Sequence, residues 1–317
     1  MNQSPLIVLV GPTAVGKSAI ALALAESMGG EIIAADSMQA YRGLDIGTAK
    51  PGVDERRRVP HHLLDLVDPD QSFTAFDFAQ LASTAIADIR TRGRLPILVG
   101  GTGLYIRALF HGLFDGPGEN TLLRETLYQE AAQVGSSTLH RRLELLDPAA
   151  ATAIHPNDLL RIVRALEVHA LSGRPISILR AEAYRNHRLI PAPVLQFGLD
   201  QNRQELYQRI EARVEVMMER GFVREVTTLL DQGYDPALRP LRAIGYRHII
   251  GYLQGRTGLD DAVSSLKRDT RRYAKRQLTW FRHEDGIEWL TVEGSTMNTS
   301  VLRTLIDRIE AAWSRKA

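Results

Sequence analysis

The segment that most limits what this chain can fold into lies at its start. Leu6 to Val10 is a short, fully apolar run that leads directly into Gly11-Pro12-Thr13-Ala14-Val15-Gly16-Lys17-Ser18. Closed by Gly-Pro, such a run reads as a strand buried on both faces, and Ser18 to Met28 has helical composition. The residues between satisfy G-x-x-x-x-G-K-[ST] at every defined position. Strand, glycine-rich loop and helix in that order aim backbone N–H groups and the positive end of a helix at one point, which suits an anion. Gly11 through Ser18 are therefore expected to hold a diphosphate, with Lys17 as a point charge on its oxygens and the Ser18 hydroxyl as a ligand for Mg2+. The competing reading, a glycine-rich turn that binds nothing, does not account for the strand before the loop and the helix after it.

The alternation continues. Glu31 to Ala35 repeats the strand pattern and ends on Asp36, and Thr74 to Arg92 reads as a helix leading into a strand, Leu95 to Val99. Strands alternating with helices predict an α/β fold, a P-loop NTPase-like parallel sheet flanked by helices. From about Asp115 the period changes: Leu139, Leu143 and Leu146, then Leu159, Ile162, Val163 and Leu166, recur at helical spacing. An inserted all-helical module at 115–190 is expected, within a core formed by 1–114 and 191–317. Asn157 or Asp158 should cap the helix ending near Ser172-Gly173, and Pro191-Ala192-Pro193 marks the return to a strand at Val194 to Leu199. Helices follow at Arg203 to Arg220, Gly245 to Gln254 and Asp260 to Arg282, then a strand at Ile287 to Val292 and a last helix.

Composition removes several function classes. At 317 residues, 44% hydrophobic and 24% charged, the chain is long enough for two units and has the balance of a soluble globular protein. With no cysteine it has neither disulfides, nor thiolate zinc sites, nor a cysteine nucleophile, and a reducing cytoplasm is the expected location. No stretch reaches membrane-spanning length, and the N-terminal run lacks the basic region and cleavage site of a secretory leader. A net charge of +2 does not by itself announce a nucleic-acid partner, so the placement of charge has to decide.

The loop leaves open whose phosphates it holds. A motor or switch NTPase, using ATP or GTP, would carry a second apolar strand ending in an aspartate that holds magnesium and prepares water. Here Leu95 to Val99 ends in Gly100-Gly101-Thr102-Gly103 instead. The acid that follows a strand is Asp36, at the carboxyl edge where ligands of open α/β sheets bind. An acid there suits a general base acting on a second substrate, although a cap or turn residue explains its position alone equally well.

Asp36-Ser-Met-Gln-Ala-Tyr41 and Ile46-Gly-Thr-Ala-Lys-Pro51, at this distance from the loop, resemble the tRNA dimethylallyltransferase family, also called tRNA isopentenyltransferases. The resemblance continues through Pro60-His-His62, Gly100 to Tyr105, Arg164-Ala-Leu-Glu-Val168, Gly221-Phe222, Arg242 to Arg247 and Lys275 to Arg282, and so covers essentially the whole chain. Without cysteine for a zinc-finger extension, it is the bacterial form that the chain looks like. The resemblance implies transfer of a dimethylallyl group from dimethylallyl diphosphate to N6 of the adenosine immediately 3′ of the anticodon. Asp36 would then be the base on N6, and Thr13, Lys17, Arg213 and Thr102 would act on the diphosphate or the adenosine. From spacing alone, Arg209 and Arg213 are two arginines on one helix face, and Thr102 is a turn threonine.

A basic helical stripe, Lys267, Arg271 and Lys275, has the spacing to track a phosphate backbone, with Tyr273, Trp280 and Phe281 nearby. The alternative is a solvated basic helix whose aromatics belong to the core. The resemblance assigns tRNA contact to Lys275, Arg276, Gln277, Leu278, Thr279, Trp280, Phe281 and Arg282, and to Arg242, Ala243, Ile244, Gly245, Tyr246 and Arg247. Arg124, Arg161 and Arg164 of the inserted module would grip the anticodon loop as well, while Leu160, Ile162 and Val163 are more apolar than the family's pattern there. Ser37, Met38 and Gln39 would read an adenine flipped out of its stack, Gln39 through paired hydrogen bonds. The rival readings are an adenylate isopentenyltransferase acting on free AMP, ADP or ATP, a nucleotide kinase, and a catalytically silent tRNA-binding protein. A monomer is expected.

Overall fold

A computed structural model describes residues 4–114, 116–186, 190, 193–294 and 299–314. Asp115, Pro191 and Ala192, where the sequence pattern puts the borders of the inserted module, lie outside them. The chain divides into two compact units, Met1–Leu109 with Ile190–Ala317, and Phe110–Leu189.

In the first unit, β1 (Leu6–Val10), α1 (Lys17–Met28), β2 (Gly30–Ala35), α2 (Val53–Arg58), β3 (His61–His62), α3 (Ala75–Thr91), β4 (Leu95–Gly100) and α4 (from Gly103 to His111) follow in order. The second unit holds α5 (Thr121–Val134), α6 (Ser136–Leu146), α7 (Pro148–Ala153), α8 (Leu159–Ser172) and α9 (Ile176–Asn186). The chain then returns to the first unit with β5 (Val194–Asp200), α10 (Arg203–Glu219), α11 (Phe222–Asp231), α12 (Tyr246–Leu253), α13 (Leu259–Arg282), β6 (Ile287–Thr291) and α14 (Thr299–Ser314).

The six strands form one sheet in the order β3-β2-β4-β1-β5-β6, and every pairing is parallel. All five residues of β1 are buried, which requires cover on both faces. Ile7 and Leu9 pack with Ile20 and Leu24 of α1 and with Leu305 and Ile309 of α14, while Leu6, Val8 and Val10 are buried on the opposite face. The edge strand β6 is only partly buried.

Local chemistry sets the helix ends. Thr74 Oγ1 accepts the Asp77 N–H while Asp77 Oδ2 accepts the Thr74 N–H, a reciprocal cap on α3. Asp158, rather than Asn157, caps α8, and Gly173 in the left-handed region ends it. Four elements were not legible in the residue pattern. α2 buries nothing and so has no apolar period, and β3 is two residues long. α4 begins on the last glycine of a turn. Gly221, just past the expected end of α10, is the N-cap of α11, whose Phe222, Val226 and Leu229 are buried.

The helical unit has its own core, built on Leu139, Leu143, Ile162, Val163 and Leu166. Ile162 and Val163 are therefore interior, and only Leu160 is exposed. The Glu167 side chain is fully buried and accepts from Arg124 Nε (2.9 Å), Arg164 Nη1 (2.6 Å) and the Asn120 N–H (2.8 Å), and Arg164 also donates to the Pro117 carbonyl. Arg124 and Arg164, expected on RNA, are thus committed inside the unit, because a buried carboxylate needs donors for both oxygens. Burial pushes the Glu167 carboxyl up, and its bonds to Arg124, Asn120 and Arg164 outweigh this and hold it below the ordinary range.

Glu167→Ala is expected to strand two arginines and lower the unfolding free energy by about 3–5 kcal/mol, read by urea denaturation. The stabilisation is present above the ordinary carboxylate pKa and is lost as pH falls through the depressed native value.

Candidate active site

The strand order puts the carboxyl ends of β2, β4 and β1 side by side. The segments leaving them are Asp36 to Gln39, the Gly100–Gly103 turn, and the phosphate-loop sequence. In that loop Ala14 sits at φ 68° and Gly16 at φ 104°, left-handed values that cost a side chain of order 1–3 kcal/mol when not glycine. Lys17 is the first residue of α1, and its Nζ donates to the Gly11 and Pro12 carbonyls at 2.9 and 2.7 Å. Ser18, in the same helical turn, is exposed.

The loop and the turn are held by one buried side chain, in a segment to which the resemblance assigns tRNA contact. Gln277 of α13 accepts the Thr13 N–H through Oε1 (2.8 Å) and donates through Nε2 to the Gly101 carbonyl (3.0 Å). A Cβ on Gly101 would lie 2.1 Å from that Nε2, so a glycine is needed where the amide crosses. Thr102 continues the tie: its N–H donates to the Ala35 carbonyl (3.2 Å) and its Oγ1 accepts the Ser37 N–H (3.1 Å). Thr102 thus joins the turn to the segment that follows Asp36.

Asp36 Oδ1 accepts the Met38 N–H at 2.9 Å, so the acid makes a turn with one oxygen and presents the other. Lys17, Arg213 and Asp36 lie within electrostatic reach of one another. Burial, then the like charge of Arg213, pull the Lys17 ammonium down to about 7, and Asp36 opposes them. Burial likewise lowers Arg213, again opposed by Asp36. Gln39 Nε2 donates to the Thr48 carbonyl (3.2 Å) and to the Ala49 carbonyl (3.5 Å), so in this arrangement both amide hydrogens face that loop, and paired hydrogen bonds to a base would require the side chain to turn. Burial raises the Tyr105 and Tyr273 hydroxyls, and Asp36 adds to both shifts. Both lie near the acid; the sequence places Tyr105 in the motif of the glycine turn and Tyr273 among the aromatics of the basic helix, with no link to Asp36.

The remaining expected RNA residues separate by face. On α13, Lys275, Arg276 and Thr279 are exposed, while Gln277 and Phe281 are buried and Leu278 packs against the core. Trp280 is partly buried, with the Arg107 guanidinium 4.7 Å from its ring centre. Arg282 is exposed and pairs with Asp200. Lys267 and Arg271 do not form a free basic stripe, because each pairs with an acid of α10, Glu215 and Glu211. In the 242–247 segment Arg242 and Arg247 are exposed, Arg247 pairing with Asp269, whereas Ala243 and Ile244 are half-buried and Gly245 and Tyr246 are interior. Arg161 is the exposed arginine of α8 and pairs with Asp158. Thus helical spacing located the basic residues, but it could not tell an outward face from one turned against a neighbouring helix.

A parallel sheet with a phosphate-loop lysine at a strand edge, and with an arginine and an acid within electrostatic reach of it, defines a phosphate-loop enzyme. A sequence profile described as IPP transferase matches residues 39–284, and one described as isopentenyl transferase matches 4–66. The chain belongs to the IPP transferase family. It is 53% identical to a tRNA dimethylallyltransferase of Geotalea uraniireducens over 91% of this chain and 93% of that one. The crystal structure of the full-length tRNA isopentenylpyrophosphate transferase of Bacillus halodurans superposes with a TM-score of 0.70 at 40% identity, covering 99% of each chain. A eukaryotic dimethylallyltransferase acting on tRNA gives 0.74 at 28% identity, over 97% of this chain and 78% of that one.

An anion bound at the loop raises the Lys17 pKa, so binding above about pH 7 must take up a proton. Pyrophosphate affinity, taken relative to Lys17→Arg so that the ligand's own titration cancels, should be flat below about pH 7. It should fall about tenfold per pH unit above that value. Isothermal titration across this range checks it.

Proposed function

We propose that this protein transfers a dimethylallyl group from dimethylallyl diphosphate to N6 of the adenosine immediately 3′ of the anticodon in tRNA, releasing pyrophosphate. The observation that carries the reading is the shared position of Lys17, Arg213 and Asp36. Two cations await the group that leaves with negative charge, and one carboxylate oxygen awaits the amine that attacks.

The adenine N6 forms a bond to the allylic carbon as the carbon–oxygen bond to the diphosphate breaks. The electron pair leaves with pyrophosphate, held by the loop amides, Lys17 and Arg213. Asp36 orients the amine and takes its proton through the oxygen not engaged by Met38. Thr13 and Thr102 keep loop and turn in register with the reacting groups. An adenine inside a stacked anticodon loop cannot reach a carboxylate at a strand edge, so the base leaves its stack, and Gln39 Oε1 is placed to accept from its exocyclic amine.

The family's use of a diphosphate implies a divalent cation, and the residues fit one. Mg2+ takes few protein oxygens together with phosphate oxygens, and the exposed Ser18 hydroxyl in the first turn of α1 is such a ligand. When bound, the ion neutralises charge on the leaving group.

Contacts to tRNA are assigned to the outward residues: Lys275, Arg276, Thr279 and Arg282 on α13, Arg242 and Arg247, and Arg161 in the helical unit. An enzyme for free AMP has no use for these surfaces, and the relatives found act on tRNA by name. None of the described helices is long and apolar enough to cross a membrane. We place the enzyme in the cytoplasm, with its tRNA substrate, as a monomer.

Incubation with an unmodified anticodon stem-loop and dimethylallyl diphosphate should add the mass of one dimethylallyl group to the RNA and leave AMP unchanged. Asp36→Asn keeps an acceptor for the Met38 N–H and loses the base. Its kcat should fall by about 10²–10⁴ while stem-loop affinity holds; undiminished turnover would remove Asp36 from this role.

A further inference from the structure

Arg213 has five N–H donors, yet among the described residues its one hydrogen bond goes to the Thr48 carbonyl, from Nη2 at 3.3 Å. Gln39 Nε2 donates to the same oxygen at 3.2 Å. The orientation of the arginine at the leaving group and of the glutamine beside the base therefore depends on where one peptide carbonyl is held.

That carbonyl belongs to a loop fixed from outside. The backbone N–H groups of Asp45, Ile46 and Gly47 converge on the Glu225 carboxylate of α11, at 3.1, 2.6 and 3.1 Å. Consecutive N–H groups turned to one point form an anion-binding concavity, and here the protein supplies its own anion. A fourth donor, the Tyr246 hydroxyl, reaches the same carboxylate at 2.7 Å. Tyr246 is fully buried, and its hydroxyl is raised well above its usual pKa, first by burial and then by the Glu225 charge, so it stays a donor. Packing closes the arrangement: a Cβ on Gly47 would lie 2.4 Å from the Phe222 ring and 2.7 Å from that of Tyr246. Thr48 is the next residue.

We propose that Glu225 is a positioning residue that sets Arg213, through the 45–47 backbone and the Thr48 carbonyl, for the departing diphosphate; this rests on the reading that Arg213 binds that group. Tyr246 lies between Arg242 and Arg247, two of the arginines assigned to tRNA. The same carboxylate therefore joins that segment to the reacting end of the site.

The test is a double-mutant cycle on binding of inorganic pyrophosphate to the full chain, by isothermal titration, with wild type, Glu225→Gln, Arg213→Ala and the double variant. Glu225→Gln keeps the volume but turns an amide toward N–H donors. It should weaken pyrophosphate about tenfold, and the double variant should bind no more weakly than Arg213→Ala alone, because the effect acts through the arginine. Tyr246→Phe removes a single bond and should give a smaller loss, about threefold, also absent on the Arg213→Ala background. It decides the matter if thermal unfolding shows that Glu225→Gln does not fold. Wild-type affinity in the Glu225 variant, or losses that add, would overturn the proposal while leaving Arg213 on the diphosphate. Wild-type affinity in Arg213→Ala would overturn that diphosphate assignment, and the Glu225 proposal with it.

Discussion

Two cations held together in a buried site are an unfavourable arrangement, and much of the surrounding structure exists to maintain it. Lys17 loses part of its hold on a proton because it is buried and because Arg213 stands near it, with Asp36 as the opposing charge. Left free, either side chain would swing toward solvent. Instead the Gly11 and Pro12 carbonyls hold the ammonium and the Thr48 carbonyl holds the guanidinium. Backbone carbonyls restrain these groups without neutralising them, whereas a carboxylate in the same place would satisfy the charge. The site thus keeps its attraction for a polyanion.

The same logic explains why so many loops are tied to helices remote in sequence. Backbone that must stay open to a ligand cannot be satisfied by regular pairing, so it needs side chains from elsewhere. Gln277 reaches from α13 to Thr13 and Gly101, and Glu225 reaches from α11 to residues 45–47. Each helix has an inner face that fixes loop backbone. On α13 the outer face carries exposed cations. An RNA pressing on that outer face would load the element whose inner face sets the diphosphate loop.

This two-faced use of helices also marks where the residue pattern stops being informative. The loop, the first two helices of the alternation, the central strands and the helical insert were legible because apolar period and capping chemistry are local. Asp36 stands out in the sequence as an acid at a strand end, where parallel sheets collect ligands, but its position alone fits a turn equally well and only the resemblance gives it a role. The resemblance assigns Gln277 and Tyr246 to RNA along with the arginines around them, yet both are interior. The same holds for Arg124 and Arg164, whose positive charge says nothing of the buried Glu167 that consumes it. Charge and spacing define a helix face, but which face meets the core depends on the neighbour, and that information is not local. Glu225 had no signal of its own. A lone acid on an unrecognised helix becomes meaningful only when three N–H groups point at it.

The placement of the acid finally separates this use of a phosphate loop from phosphoryl transfer. When phosphorus is attacked, the loop must hold the group being transferred, and an acid at the next strand end serves the metal or the water. Here β4 ends in a glycine turn closed against Gln277, and the acid lies beyond β2, with one oxygen spent on its own turn. An acid so restrained has one position left for a partner, which suits a single proton from a single amine better than the several ligands of a metal. In the proposed reaction the electrophile would lie between that oxygen and the cations. In that proposal the loop retains the diphosphate while the carbon chain moves to the amine, so the residues that elsewhere deliver a phosphoryl group would here stabilise a departing diphosphate.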